Sequence, residues 1–115
     1  MSASAELVQK QLDAYNNQNI EAFLACYAED AVLAGLNGEI THRGMAAIRK
    51  RHEDLFYEFP KNHAKLANRI DLGKTVIDHE VVERSPGGDR FEVAAIYTLK
   101  GGKIIRVDFA RAGAV

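Results

Sequence analysis

Two acidic side chains placed two residues apart, Asp78 and Glu80, carry the strongest chemical signal in the chain. They lie in the run KTVIDHEVVER (residues 74–84), where strand alternation sets Val76, Asp78, Glu80 and Val82 on one face. If that face is buried, two carboxylates stand in an apolar wall, and burying an unpaired charge usually shifts its pKa instead. Their backbones are about 7 Å apart. At an effective dielectric near 20, two unit charges at that separation repel by roughly 2.4 kcal/mol, or about 1.7 pKa units, against about 0.6 kcal/mol in bulk water. A dry site therefore holds one carboxyl protonated beside one ionised, a general acid next to a general base, whereas a wet one leaves both anionic. The competing reading is a structural ion-pair network with Arg84, Arg111 or Lys65.

His52 sits in the middle of an apolar helical stripe and titrates near neutrality, so it is either the partner of that pair or a hydrogen-bonded core histidine. Tyr15 and Tyr97 can donate to a ligand oxygen or simply fill the core. Asn68 interrupts the apolar series Ala64, Leu66, Ile70 and Leu72, where it lines a cavity or bonds a neighbouring backbone. Other signals fail on geometry. HEVVE (residues 79–83) needs a helix to act as a zinc-protease motif, and the run is β-branched. Gly101-Gly102-Lys103 lacks the spacing of a phosphate loop and reads as a hairpin turn. Arg49-Lys50-Arg51 beside Glu53 and Asp54 is a solvated helix face. Cys26 has no neighbouring group to make it a nucleophile. Neither a metal nor a cofactor is expected.

The elements that must position these groups follow from periodicity. Ser4 is a fair cap for a first helix to about Asn17, with Leu7, Val8, Leu12 and Tyr15 at helical spacing. Asn19 caps a second, in which Ile20, Phe23, Leu24 and Tyr27 keep i, i+3, i+4, i+7 order. Residues 31–36 read as a strand ended by Asn37-Gly38. A third helix after Gly44 carries Ile48, His52, Leu55, Phe56 and Phe59 until Pro60 stops it. From residue 63 the period changes to two, giving strands over 63–72, 75–84, 90–99 and 103–110, an antiparallel meander. Helices first and strands afterwards predict an α+β domain, one unit over residues 1–115, with three helices on one face of a curved antiparallel sheet.

The totals bound the function. A chain of 115 residues is large enough for its own core. A formal net charge of -1 gives no field to attract nucleic acid or anionic membrane, and a single cysteine with no apolar leader fits the cytoplasm. The outer face of the sheet carries Ile77, His79, Val81, Ala94 and Ile96, more apolar surface than water tolerates, so a sheet-to-sheet homodimer is expected.

The order of elements, together with IEAF (residues 20–23), YAEDAV (27–32), Arg43-Gly44 and Gly102-Lys103-Ile104, resembles the nuclear transport factor 2-like superfamily, in particular its SnoaL-like and ketosteroid-isomerase-like members. The resemblance implies a cystatin-like, cone-shaped α+β barrel with Tyr15, His52, Asp78, Glu80 and Tyr97 facing inward. It also exposes departures. The positions matching the isomerase's base and its two oxyanion-hole groups are Gly35, Ala95 and Gln11. The cyclase and epoxide-hydrolase aspartate on the last strand matches Phe109, with Asp108 one residue off, and the epoxide-hydrolase arginine and aspartate match Glu80 and Val82. This chain therefore cannot run those reactions with those residues.

The expectation is a small homodimeric enzyme performing cofactor-free acid/base chemistry (isomerisation, dehydration, cyclisation or hydration) on a small apolar or amphipathic molecule. Asp78 and Glu80 handle protons with His52 assisting, Tyr15 and Tyr97 position the ligand, and Tyr27, Leu33, Asn68 and Phe109 complete the wall with Val76 and Val82. The alternatives are a carrier that binds an apolar metabolite unchanged and an interaction domain whose pocket is filled by its own side chains.

Overall fold

The computed structural model describes residues 1–113. Helices α1 (Ala3–Asn16) and α2 (Ile20–Leu24) precede strands β1 (Tyr27–Gly35) and β2 (Ile40–Arg43). Helix α3 (Met45–Glu58) leads into β3 (His63–Asp71), β4 (Thr75–Glu83), β5 (Arg90–Lys100) and β6 (Lys103–Arg111). The six strands form one sheet in the order β2-β1-β6-β5-β4-β3. The α+β class and the meander from β3 to β6 are as the period change predicts.

Four details differ. Strand β2 is absent from the periodicity reading because Ile40 is the only aliphatic residue among its four, although Asn37, in the left-handed region at φ 57°, followed by Gly38 makes the β1–β2 hairpin turn. The sheet is not wholly antiparallel, since β1 pairs parallel with β6. Helix α2 stops at Leu24, so Tyr27 begins β1 rather than closing a helix. The cap of α1 is Ser2, whose hydroxyl accepts from the Ala5 amide at 3.0 Å, not Ser4.

Registration turns the inner face into a grid. Val76, Asp78, Glu80 and Val82 of β4 stand opposite Tyr97, Ala95, Val93 and Phe91 of β5. Three of these stand in turn opposite Val107, Phe109 and Arg111 of β6. Leu33 and Gly35 of β1 extend the first two rows. The helices lay Val8, Phe23 and Ile48 onto Val76, Ala95 and Val107 as one buried cluster. Burial of these side chains stabilises the fold by about 1.5–3 kcal/mol for each large aliphatic or phenylalanine. Gly44 opens α3 at φ 86°, a left-handed conformation costly for other residues, and its amide donates to the Ala31 carbonyl at 2.7 Å, tying the helix to β1. On the outer face Ile77, Val81, Ala94 and Ile96 are half-buried and His79 is exposed. No helix among the described residues is long and apolar enough to cross a membrane.

Candidate functional site

A cavity of about 280 Å³ lies between the inner sheet face and the helices. Glu80, His52, Tyr15, Tyr27, Tyr97, Leu33 and Phe109 all line it, so the structure brings together seven of the residues selected by sequence. Glu80 is 6% exposed, its Oε2 is buried without a hydrogen-bond donor, and no guanidinium or ammonium group pairs with it among the described residues. Burial, and then the Asp78 charge, raise its pKa to about 7, with Arg69 opposing.

Asp78 is fully buried but does not reach the cavity. Arg69 clamps it in a fork, Nε to Oδ1 at 2.7 Å and Nη2 to Oδ2 at 2.8 Å, and Gln9 Oε1 accepts from Arg69 Nη1 at 2.9 Å. The two carboxylates are thus not a matched pair facing a ligand. Asp78 is ion-paired as the structural reading allowed, though with Arg69 rather than Arg84, Arg111 or Lys65. The cause is a β-bulge between Leu66 and Asn68. Before it, Ala64 and Leu66 oppose Val82 and Glu80; after it, Arg69 and Asp71 oppose Asp78 and Val76. One inserted residue exchanges faces. Asn68 consequently pairs with His79, is exposed, and lies outside the cavity, contrary to its expected place in the wall. Val76 lies in the packed core beneath.

Gln11 was not selected from sequence, yet it organises the closed end of the cavity. It is a polar residue one turn beyond Val8 on the buried stripe of α1, which is the signal that marks it. The Tyr27 hydroxyl donates to Gln11 Oε1 at 2.7 Å, and Gln11 Nε2 donates to the Tyr97 hydroxyl oxygen at 3.4 Å. The Tyr97 proton is held only by a 3.5 Å contact to the same Oε1, so Tyr97 is the looser donor. Burial, and among the neighbouring charges Glu80, push both phenols well above their ordinary pKa, keeping them donors at any physiological pH.

His52 is buried against Phe23, with ring centroids 4.4 Å apart, and its Nδ1 donates to the Ile48 carbonyl at 2.8 Å. That bond leaves Nε2 unprotonated. Burial lowers its pKa to about 4, so it is a neutral imidazole rather than a proton donor to Glu80. Cys26 is buried, and burial raises its thiol pKa, in keeping with a packing role.

The open end is basic. Arg51, Arg84, Arg111 and His42 line it, and burial lowers the His42 pKa. Arg84 and Arg111 were legible as the next inward positions of β4 and β6, but only as partners for the acids.

Solved structures similar to this one share the fold. An uncharacterized cystatin-fold protein from Novosphingobium aromaticivorans is 28% identical with a TM-score of 0.88, over 96% of this chain and 99% of that one. A candidate polyketide cyclase from Sinorhizobium meliloti is 23% identical with a TM-score of 0.77, over 91% of this chain and 94% of that one. A candidate ketosteroid isomerase from Kribbella flavida is 19% identical with a TM-score of 0.83, over 98% of this chain and 80% of that one. Among curated proteins none matches. A profile of the SnoaL-like domain matches residues 8–107. The chain therefore belongs to the SnoaL-like domain family.

Proposed function

We propose that the protein is a small-molecule enzyme that moves a proton on a carbonyl-bearing substrate, with Glu80 as the single base and acid. The carrying observation is a buried carboxyl that lacks an ionic partner, faces a cavity, and is half-ionised near neutral pH. A general base is most effective when its pKa lies near the working pH. In this reading Glu80 takes a proton from the carbon next to the carbonyl. The Tyr97 hydroxyl donates to the oxygen on which charge develops, and Glu80 returns the proton to the same or another carbon. Isomerisation, dehydration and cyclisation share that first step. Likeness to a candidate cyclase and a candidate isomerase agrees with this class, although the positions matching the isomerase groups are Gly35, Ala95 and Gln11. Asp78 acts here only through its charge, and His52 as an acceptor in the wall.

The test needs no known substrate. A panel of small ketones and thioesters is held in deuterated water with the protein, and loss of the α-proton signal is followed by NMR. Wild type should accelerate exchange for at least one member, and Glu80→Gln should slow it by about a hundredfold or more. Exchange equally fast with Glu80→Gln excludes the reading, and saturable binding without exchange identifies a carrier instead.

We also propose that the outer sheet face, with Ile77, Val81, Ala94 and Ile96, pairs two copies. Light scattering should then give twice the chain mass for wild type and a monomer for Val81→Glu.

A further inference from the structure

We infer that the ligand of this cavity is an amphipathic organic acid whose carboxylate is held by Arg84 and Arg111 while its apolar body points toward Glu80. The inference rests on the proposed Glu80 reading for the reacting end, and on separate observations for the anionic end.

The first is the distribution of arginine pairing. Arg49, Arg69, Arg90 and Arg106 each bind a carboxylate, whereas Arg43, Arg51, Arg84 and Arg111 bind none among the described residues, and all of these but Arg43 line the cavity. The wall thus gathers three guanidinium groups around one carboxyl, Glu80, in a chain of net charge -1. Such an excess of one sign in a concave, low-dielectric wall concentrates ions of the other sign.

The second is how the guanidinium groups of Arg84 and Arg111 are held. Both stack on Phe91, Arg84 at 4.9 Å and Arg111 at 3.9 Å from the ring centroid. Two like charges drawn to one ring repel each other, and the ring's quadrupole offsets only part of that. Arg84 is further fixed through Nη1 alone, donating to Asn62 Oδ1 at 2.8 Å and to the Tyr15 hydroxyl at 3.3 Å. Both partners are neutral, and Asn62 is itself buried. Its Nε and Nη2 remain for a planar acceptor, the geometry that suits a carboxylate.

The third is spacing. Glu80, Val93 and Arg111 form one cross-strand row, so the backbones of Glu80 and Arg111 are two strand spacings apart, about 10 Å. Val93, Val82 and Phe91 cover the interval with apolar surface. A ligand spanning it has a charged head, a short hydrocarbon body and a reacting carbon at the far end. Phosphate alone, or a neutral lipid, satisfies one end only.

The experiment compares 4-phenylbutyrate with the matched neutral alcohol 4-phenylbutan-1-ol by titration calorimetry on the full chain at pH 7. Wild type should prefer the acid by about tenfold or more, and about tenfold more salt should weaken the acid but not the alcohol. Arg111→Gln, at an exposed position, should abolish the preference, and Arg84→Lys, which keeps the charge but not the fork, should reduce it. An alcohol bound as tightly as the acid, no binding of the acid, or equal loss of both ligands in Arg111→Gln overturns the inference. Acid preference without Glu80-dependent exchange leaves this inference standing and removes the enzymatic reading, and the reverse pattern does the opposite.

Discussion

Replacing Glu80 with glutamine should stabilise the protein in a pH-dependent way whose size follows from its environment. In the unfolded chain the carboxyl titrates near its ordinary value of 4.5, and in the folded protein near 7. Between those values the folded state holds a proton that the unfolded state has lost, so stability falls as pH rises, and the full deficit is present above about 7. At 1.36 kcal/mol per pKa unit the deficit is about 3 kcal/mol. His52 runs the other way. Its folded pKa of about 4 lies below its ordinary 6.5, so the unfolded chain holds the extra proton and stability rises with pH across that window. The two slopes nearly cancel from pH 4.5 to 6.5, which hides both in the wild type. Glu80→Gln unmasks the histidine. Urea unfolding followed by far-UV circular dichroism from pH 4 to 8, at one protein concentration, should show the variant gaining about 3 kcal/mol on wild type between pH 4.5 and 7 and nothing further above. An amide that packs poorly adds a constant offset, which leaves the slope intact. A difference that changes by less than about 0.5 kcal/mol across the range would mean that Glu80 is not held protonated by its surroundings.

Asp78→Asn should cost about 3 kcal/mol by stranding the partly buried Arg69 guanidinium over a fully buried site, and a double Asp78→Leu, Arg69→Met variant should recover much of it in the same unfolding assay. Because the Asp78 charge raises the Glu80 pKa, Asp78→Asn should also move the acid limb of any proton-transfer activity to lower pH. Tyr97→Phe should slow exchange by about tenfold or more while Tyr27→Phe, whose proton is already committed to Gln11, changes it less. Asn68→Ala should leave stability and ligand binding within about 0.5 kcal/mol of wild type, as thermal unfolding with and without 4-phenylbutyrate would report.

Most of the architecture could be read from alternation and caps, and the exceptions share a cause. Strand β2 is too short and too wet to show a period, and Tyr27 falls on the helical spacing of Ile20 by coincidence while its backbone is already extended beside β6. Alternation also fixes which residues of β4 point inward, and those assignments hold along its whole length. What alternation cannot show is its own interruption. The extra residue in β3 carries no glycine or proline to announce it, so Asn68 is assigned to the wrong face and Arg69, the true partner of Asp78, is not among the candidate partners.

That single bulge decides how the two acids differ. Without it, Asp78 would face Asn68 and both carboxylates would lack a cation, each opposing the other's ionisation. With it, Arg69 takes Asp78 by a bidentate bond and leaves Glu80 one residue pair further along, opposite Leu66, in a stretch of wall with no donor. The charge of Asp78 is not erased by its partner, since it still raises the Glu80 pKa more than Arg69 lowers it. The fork therefore does two things at once. It gives the buried Asp78 carboxylate a bidentate cation, and it sets that charge where, added to the larger effect of burial, it raises the pKa of the neighbouring Glu80 carboxyl. A proton-transfer site needs that second effect, and a structural ion pair alone would have supplied only the first.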